Sequence, residues 1–354
     1  MDRRLALKGC LIGAAIGDAL GLPYEGLAPR RIARMAMASD VTIYRFIAKR
    51  GMVSDDTEHL SMVAQALIVS AGDPERFLQS LSRQLRWWLA GVPAGIGLAT
   101  LRATLRLWLG VSPLRSGVFS AGNGPAMRSA ILGVCYGDDP EQLHRLVRLS
   151  THVTHTDPKA EQGALAIAIA AYCAYQTPDI TPSAFQSLME ERLGESASEF
   201  LGLTEAVIRS VEQGETTADF AQRSGYIKGV SGYIFHTVPI VIHLWLRYRT
   251  DLLGALREAI LCGGDTDTVA AIAGGVIGAG ADLTKLPSRL QENLLEYPRN
   301  TVWLERLADR LDMVMTTKKP QSPLPISPLL LLLRNAAFAI FVLCHGLRRL
   351  APPY

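Results

Sequence analysis

The sequence predicts an all-α fold, a compact bundle of many helices. Nearly every segment carries apolar residues at i, i+3 and i+4, and no convincing run alternates β-branched residues as a strand does. Three segments rich in alanine and glycine, LIGAAIGDALG, ALAIAIAAYCA and AAIAGGVIGAG, let helix backbones approach closely in the core. Helical periodicity covers residues 4–20, 57–71, 74–90, 97–109, 125–136, 140–150, 158–175, 183–192, 197–212, 238–249, 251–261, 268–279 and 301–313.

Glycine, proline, aspartate and asparagine separate these helices. The first helix ends at Gly21 and Pro23, and a loop carrying Glu25 follows. Pro125 and Pro158 each suit the first position of a helix, where the missing N–H of proline has no intrahelical partner to lose. Two other helices open in clusters of acidic and hydroxyl residues.

The composition is that of a globular chain with a large core: 354 residues, of which 49% are apolar. The net charge of +3, from 36 basic and 33 acidic residues, is too small to predict a nucleic-acid partner. The five cysteines are odd in number and widely spaced in apolar segments, which predicts reduced core residues of a cytoplasmic protein. Lys8 and Asp18 interrupt the apolar N-terminal run and argue against a signal peptide.

Two clusters of oxygen-bearing side chains open helices far apart in the sequence. They are Ser54-Asp55-Asp56-Thr57 and Asp265-Thr266-Asp267-Thr268. Such residues are also the commonest helix N-caps, and Asp55 with Glu58 has the spacing of a capping box. Capping needs one such residue, however, and each cluster supplies several, including two carboxylates that repel each other. Because no cysteine or histidine of ligand spacing lies nearby, the clusters favour Mg²⁺ or Mn²⁺ over zinc.

A glycine-rich junction, Gly122-Asn123-Gly124, leads into a predicted helix. Its exposed amides, with Arg128 adding charge, suit a phosphate, although a simple loop-to-helix junction has the same composition. Glu25, beside glycines in its own loop, is either a solvated surface residue or an acid/base group.

Two further loops carry polar or aromatic groups. His155 suits hydrogen bonding to a ligand better than metal ligation, and Asp157 before Pro158 suits the start of a helix. Tyr233 follows a flexible Gly-Val-Ser-Gly segment and either stacks on a base or packs in the core.

In this order, the segments resemble the ADP-ribosylglycohydrolase family. The matching motifs are GCLIGAAIGDALGLPYE, SDDTE, GNGPAMR, THTDP, SGY with the following TVP, and GGDTDT, and they span roughly residues 5–280. The resemblance implies a mostly helical domain with a dinuclear magnesium or manganese centre. It implies hydrolysis of the bond at C1 of the distal ribose in an ADP-ribosylated protein or a small ADP-ribose conjugate, with release of ADP-ribose.

The resemblance also implies roles for individual residues. Glu25, Asp56 and Asp267 would take part in catalysis, with Glu25 as general acid or base, a role typically worth ~10²–10⁴-fold. The ligands of the two cations would be Ser54, Asp55, Asp56, Asp265, Asp267 and Thr268. The ADP-ribose site would be lined by Asn123, Gly124, Arg128, His155, Asp157 and Tyr233.

One departure leaves the leaving group open. Some arginine-directed members of the family carry an aspartate in a Pro-x-Asp-Ile-Gly-like motif, whereas the stretch Pro93–Gly97 of this sequence has Gly95 at that position. Arginine-, serine- and acetyl-linked ADP-ribose and a free nucleotide-ribose therefore all remain candidates. A crystallin-like or ADP-ribose-binding relative without activity, and a phosphohydrolase that cuts the diphosphate, are the alternatives.

The sequence divides into a catalytic domain over residues 1–315, a proline-rich linker over 316–328 and an apolar C-terminal helix over 329–354. Arg334 and Asn335 interrupt the apolar run, so its capacity to span a membrane is marginal. Docking on the domain, self-association, membrane attachment and disorder are the alternatives, and we expect hydrolysis to survive removal of residues 320–354. The predicted location is cytoplasmic, with membrane attachment through the C-terminus as the open alternative.

Overall fold

The computed structural model describes residues 2–38 and 40–348, and it confirms the all-α fold class. Within these ranges the loops make only isolated β-bridges and no sheet forms. Short 3₁₀ turns lie at Leu22–Tyr24, Ala126–Arg128, Glu195–Ala197 and Leu283–Lys285. The α-helices are α1 Arg3–Gly21, α2 Pro29–Ala38, α3 Asp55–Ser70, α4 Pro74–Ala90, α5 Leu98–Trp108, α6 Ala130–Tyr136, α7 Pro140–His152, α8 Pro158–Gln176, α9 Pro182–Leu193, α10 Ser198–Glu212, α11 Thr217–Arg223, α12 Ile234–Tyr248, α13 Leu252–Leu261, α14 Thr266–Gly280, α15 Ser288–Glu292, α16 Thr301–Thr317 and α17 Pro328–Arg348.

Three short helices, α2, α11 and α15, were not predicted. The seven residues of α11 and the five of α15 are too few to show a helical period, and a proline and three arginines interrupt the apolar residues of α2. Two predicted starts were wrong. The helix predicted from residue 125 begins only at Ala130, because Ala126–Arg128 form a 3₁₀ turn before it. The helix predicted from residue 238 begins earlier, at Ile234, and Pro239 lies inside it.

The central feature of the fold is the pairing of α1 with α14 along glycines. A Cβ atom on Gly13 would lie 2.3 Å from the carbonyl oxygen of Gly274, and one on Gly278 would lie 2.3 Å from that of Gly9. The two backbones are therefore in direct contact, which only glycine permits. At one end of the pair, Thr266 Oγ1 donates a hydrogen bond of 2.9 Å to the carbonyl of Gly21, so the end of α1 meets the start of α14.

The start of α3 is held against the same place by Asp18 of α1. The fully buried Asp18 carboxylate accepts hydrogen bonds from Ser54 N at 2.9 Å, Thr57 N at 3.1 Å and Thr57 Oγ1 at 2.6 Å. Burial raises the pKa of Asp18 to about 6, against the opposing effect of these donors. The last turn of α1 and the first turns of α3 and α14 thus converge, which brings the two acidic clusters together.

The chain after α16 packs against the domain through specific contacts. In the linker, the Gln65 side chain of α3 pairs with both the carbonyl oxygen and the amide of Leu324, at 2.9 Å each. On α17, the side chains of Arg334, Asn335 and Phe338 are buried. The opposite face of α17 exposes a row of apolar residues, Leu329, Leu330, Leu332, Leu333, Ile340, Leu343 and Leu347.

By length and composition, two helices among residues 2–38 and 40–348 are apolar enough to cross a membrane: α1 with its following turn, and α17. The apolar stretch of α1 is 89% buried inside the domain, whereas that of α17 is 17% buried. The α17 helix thus has one docked face and one open face, and its membrane attachment and self-association stay predictions. The end of the predicted tail, residues 349–354, lies outside the described residues.

The cysteines agree with the sequence analysis except at one position. All five are free, and Cys10, Cys135, Cys173 and Cys262 are buried in the core. Cys344 is exposed, contrary to prediction, because it lies near the open face of α17 rather than on the docked one.

Candidate active site

A cavity of about 380 Å³ lies where α1, α3 and α14 converge. Both acidic clusters face it, together with the loop after α1 and the junction at residues 122–124. The predicted site residues that line it are Glu25, Ser54, Asp55, Asn123, Gly124, His155, Asp265, Asp267 and Thr268. Segments far apart in the sequence therefore form one concave site of the size that ligand pockets commonly have.

In the first cluster, one residue caps helix α3 and another faces the cavity. Ser54 is the N-cap of α3, and its hydroxyl accepts a hydrogen bond from the amide of Asp56 at 3.2 Å. Asp55 is not needed as a cap and faces the cavity. Asp56 lies just beneath the wall, where its Oδ2 atom accepts from Ser54 Oγ at 3.0 Å and from Thr268 Oγ1 at 3.1 Å. Its Oδ1 atom is buried without a partner.

The second cluster is held by backbone pairing between neighbouring loops. The amide of Gly26 donates to the carbonyl of Gly264 at 2.7 Å, and the amide of Asp265 donates to the carbonyl of Val230 at 2.8 Å. Asp265 makes no side-chain cap for α14, and its Oδ2 accepts instead from Asn123 Nδ2 at 2.7 Å. Asn123 therefore positions a carboxylate at the cavity wall.

The buried carboxylates of the site repel one another. Burial raises the pKa of Asp55 and of Asp56 well above its ordinary range, and the charge of Asp18 raises both further. Burial likewise raises the pKa of Asp267, with the charge of Glu25 as the next contribution. The clustered carboxylates therefore lack enough nearby positive charge to stabilise their ionised forms.

The donor set fits a hard divalent cation. Within residues 2–38 and 40–348, no group of three His, Cys, Asp or Glu side chains is already arranged to hold a metal ion. The chemistry nevertheless suits Mg²⁺ or Mn²⁺, because the wall offers carboxylates and hydroxyls in two facing clusters. A buried acceptor without a partner, such as Asp56 Oδ1, costs about 1–3 kcal/mol, and a bound cation would satisfy it.

His155 forms part of the opposite wall. A Cβ atom on Gly122 or on Gly124 would lie 3.1 Å from its ring, so glycine lets the junction pack closely on the imidazole. His155 Nδ1 lies 2.8 Å from Thr154 Oγ1. Burial lowers the pKa of His155 to about 3, and the charge of Arg128 adds to the effect, so the ring is neutral at pH 7 and suits hydrogen bonding better than charge pairing.

Arg128, predicted to contact the diphosphate, is instead fully buried behind this wall. Its Nη2 atom donates to the carbonyl of Ser150 at 2.7 Å and to Thr154 Oγ1 at 2.6 Å, and Nη1 contacts His59 Nδ1 at 3.1 Å. Burial lowers the pKa of Arg128 to about 9. The side chain braces the loop that carries His155, because the 3₁₀ turn directs it inward.

Two other predicted binding residues also lie outside the cavity wall. Asp157 is the N-cap of α8 and accepts from the amide of Lys159 at 2.9 Å. The hydroxyl of Tyr233 accepts from Lys159 Nζ at 3.1 Å, and its ring packs edge-on against His236. The two loops reach the cavity through other residues, His155 and Gly232, because sequence does not show which way a loop side chain points.

Sequence reasoning missed several residues of the wall. Leu98 and Thr100 come from the start of α5, directly after the Pro93–Gly97 stretch, whose departure from the family pattern was the available signal. Phe338 and Val342 come from α17, and no motif pointed to them.

Comparison with known proteins agrees with this geometry. A sequence model described as ADP-ribosylglycohydrolase matches residues 1–321. An uncharacterized protein of Archaeoglobus fulgidus is 30% identical over 307 residues, which cover 86% of this chain and 95% of that protein. ADP-ribosylhydrolase ARH3 of Mus musculus is 25% identical over 342 residues, covering 85% of this chain and 90% of the relative.

A bacterial relative and a solved structure complete the comparison. The ADP-ribosyl-dinitrogen reductase glycohydrolase of Rhodospirillum rubrum is 25% identical over 292 residues, covering 81% of this chain and 88% of the relative. A solved structure titled ADP-ribosylglycohydrolase-related protein complex superposes with a TM-score of 0.63 at 26% identity, covering 88% of this chain and 99% of that one. With a family match over residues 1–321, the chain belongs to the ADP-ribosylglycohydrolase family.

Proposed function

We propose that this protein is a metal-dependent hydrolase that cleaves the glycosidic bond at C1 of the distal ribose in an ADP-ribosylated substrate and releases ADP-ribose. The observation that carries the proposal is the meeting of Asp55, Asp265 and Asp267 with Glu25 on one cavity, at the convergence of α1, α3 and α14. The relatives named as ADP-ribosyl hydrolases support the reaction class.

The residues that would hold two Mg²⁺ or Mn²⁺ ions are Ser54, Asp55, Asp56, Asp265, Asp267 and Thr268. When bound, the ions would supply positive charge that grips ribose hydroxyls and orients water. Asp18 and Asn123 support this set from outside it, because Asp18 holds the start of α3 and Asn123 holds Asp265.

Glu25 is the proposed general acid or base. It is exposed on its loop and lines the cavity, so both water and substrate can reach it. Its charge acts on Asp267, which places it close to the acidic clusters. The hydrogen bond from Gly26 to Gly264 fixes the backbone beside it. Proton transfer by such a group typically contributes ~10²–10⁴-fold.

The ADP-ribose moiety is proposed to lie along the wall of Asn123, Gly124 and His155. Glycine at positions 122 and 124 keeps the backbone close to His155, because neither residue places a side chain against the ring. The neutral imidazole then offers one ring nitrogen for hydrogen bonding, since Nδ1 is engaged by Thr154. Arg128 acts in this arrangement through the loop it braces, without touching the substrate.

The test is an assay of the purified protein on arginine-, serine- and acetyl-linked ADP-ribose, with and without added Mg²⁺ or Mn²⁺. We expect intact ADP-ribose as the product from at least one conjugate, and only with the cation. Release of AMP would identify a phosphohydrolase that cuts the diphosphate. ADP-ribose binding without turnover of any conjugate would identify a binding relative, and either result would overturn the proposal.

A further inference from the structure

The C-terminal helix α17 reaches the cavity that the family's own segments form. Phe338 and Val342 of α17 line the cavity together with Leu22, Glu25 and Ala94. The family match ends at residue 321, so this part of the wall comes from outside the matched region. A segment that the sequence suggested was separate from catalysis therefore contributes directly to the site.

A buried ion pair fixes the position of α17. Arg334 is 8% exposed, and its guanidinium donates to Glu296 at 2.7 Å from Nε and 2.6 Å from Nη2. Nη2 also donates to the carbonyl of Val53 at 2.6 Å, while the amide of Val53 donates to Glu296 Oε2 at 3.1 Å. Val53 immediately precedes Ser54, so the ion pair holds both backbone groups next to the first acidic cluster.

Two further contacts join α17 to this side of the cavity. Asn335 Nδ2 donates to the carbonyl of Gly91 at 2.7 Å, which ties the helix to the loop before Pro93–Gly97. The Phe338 ring lies 5.6 Å from that of Phe46, in a small apolar cluster with Leu22 and Met52. Phe338, Val342 and Ala94 form an apolar wall of the cavity, which is distinct from the wall of Gly122, Gly124 and His155.

The character of the apolar wall bears on which leaving group can be accommodated. A guanidinium removed from water against Phe338, Val342 and Ala94 would lose hydration without gaining a counter-charge from these three side chains, and burying an unpaired charge is unfavourable. Glu25 lines the cavity beside them, but the proposed function assigns its carboxylate to proton transfer. The Pro93–Gly97 stretch supplies no carboxylate in compensation. Arg334 lies behind Phe338, with its guanidinium carbon 4.5 Å from the ring centroid.

We propose that α17 is an integral wall of the active site, that Phe338 and Val342 select substrates whose leaving group is uncharged, and that Arg334 is a positioning residue for residues 53–56. The assignment of the leaving group rests on the proposed function. The placement of α17 by Arg334 does not, and it can be tested without substrate.

The selectivity is tested by adding a charge to the wall. Val342→Asp offers a carboxylate to a guanidinium, Val342→Asn is its neutral match, and Leu343→Asp places the same charge on the outer face, where Leu343 is 67% exposed. The measurement is kcat/KM for arginine-linked relative to serine- and acetyl-linked ADP-ribose. We expect Val342→Asp to raise this ratio by about tenfold or more, a typical effect of one altered pocket contact, and the other two variants to leave it within about threefold.

Inhibition by free ADP-ribose distinguishes a change at the apolar wall of α17 from a change at the wall proposed to bind ADP-ribose. Because α17 faces the leaving group in this proposal, the inhibition constant should change by less than about threefold in Val342→Asp while the substrate ratio moves at least tenfold. An unchanged ratio, or a ratio that Leu343→Asp moves equally, would overturn the selectivity.

The positioning role is read from amide hydrogen exchange in the full chain without ligand. Arg334→Met should speed exchange of the amides of residues 53–56 by about tenfold or more, because Glu296 loses its counter-charge, the Val53 carbonyl loses its donor, and the segment opens locally. Arg334→Lys should restore part of the protection, and Leu343→Ala should change nothing. Equal exchange in Arg334→Met and wild type would refute the placement of α17. If the wild type cleaves no conjugate yet shows this pattern, the proposed function fails and the structural role of α17 stands.

Discussion

Replacing Gly13 by alanine should separate α1 from α14 and destabilise the protein. The added Cβ would lie 2.3 Å from the oxygen of Gly274 and 3.2 Å from the Cα of Gly278, and both are backbone atoms that cannot rotate away. Overpacking of this kind costs about 1–3 kcal/mol or more. The higher helix propensity of alanine returns only about 0.5–1 kcal/mol.

Gly202→Ala is the matched control because it makes the same chemical change in open space. Gly202 lies inside α10, and a Cβ there meets no atom within 4 Å. That variant should gain about 0.5–1 kcal/mol, since it keeps only the helix-propensity term. The two substitutions are therefore expected to have opposite signs.

Urea unfolding of the two variants and the wild type measures the difference. We expect the midpoint of Gly13→Ala to fall and that of Gly202→Ala to rise at constant slope. Gly13→Ala should also lose activity under conditions where it is still folded, because Asp18 on α1 and Asp267 on α14 would move apart. Equal or increased stability of Gly13→Ala would refute the direct backbone contact on which the convergence of the site depends.

Three other predictions follow from the site and the core. Asp267→Asn should abolish turnover while circular dichroism remains wild-type, and retained activity would remove Asp267 from the proposed ligand set. Glu25→Gln should lower kcat by ~10²-fold or more with little change in ADP-ribose affinity, whereas weaker binding at an unchanged kcat would make Glu25 a binding residue. Burial lowers the pKa of His243 to about 4 from 6.5, so the unfolded chain takes up its proton first as the pH falls. Between pH 6.5 and 4 the wild type should therefore lose about 2–3 kcal/mol more stability than His243→Asn, and parallel pH profiles of unfolding would contradict this.

Sequence reasoning located the acidic clusters because local chemistry identifies them. Each cluster opens a helix and contains more acidic and hydroxyl residues than a cap requires, and the structure brings Asp55 and Asp267 to one cavity. The glycines of α1 and α14 likewise predicted a close helix contact, since only residues without a Cβ allow it. Both features depend on residue type and spacing within a short stretch of sequence, so the sequence is sufficient to predict them.

Long-range packing explains what the sequence did not predict. Arg128 belongs to a glycine-rich junction typical of a phosphate site, yet contacts with Ser150 and Thr154 turn it inward. The interruption of the tail by Arg334 suggested a marginal membrane span, whereas the structure pairs that charge with Glu296, 38 positions earlier in the chain. The tertiary fold determines these partners, and no local sequence pattern predicts them.

Metal binding and activity measured together on chelator-treated protein test the central claim most directly. We predict that the metal-free protein is folded but inactive, that Mg²⁺ or Mn²⁺ restores release of ADP-ribose, and that calorimetry finds two bound ions whose saturation follows the rate. Asp56→Asn should weaken that binding. Full activity in metal-free protein, or restored activity in Asp56→Asn with unchanged metal affinity, would contradict the account.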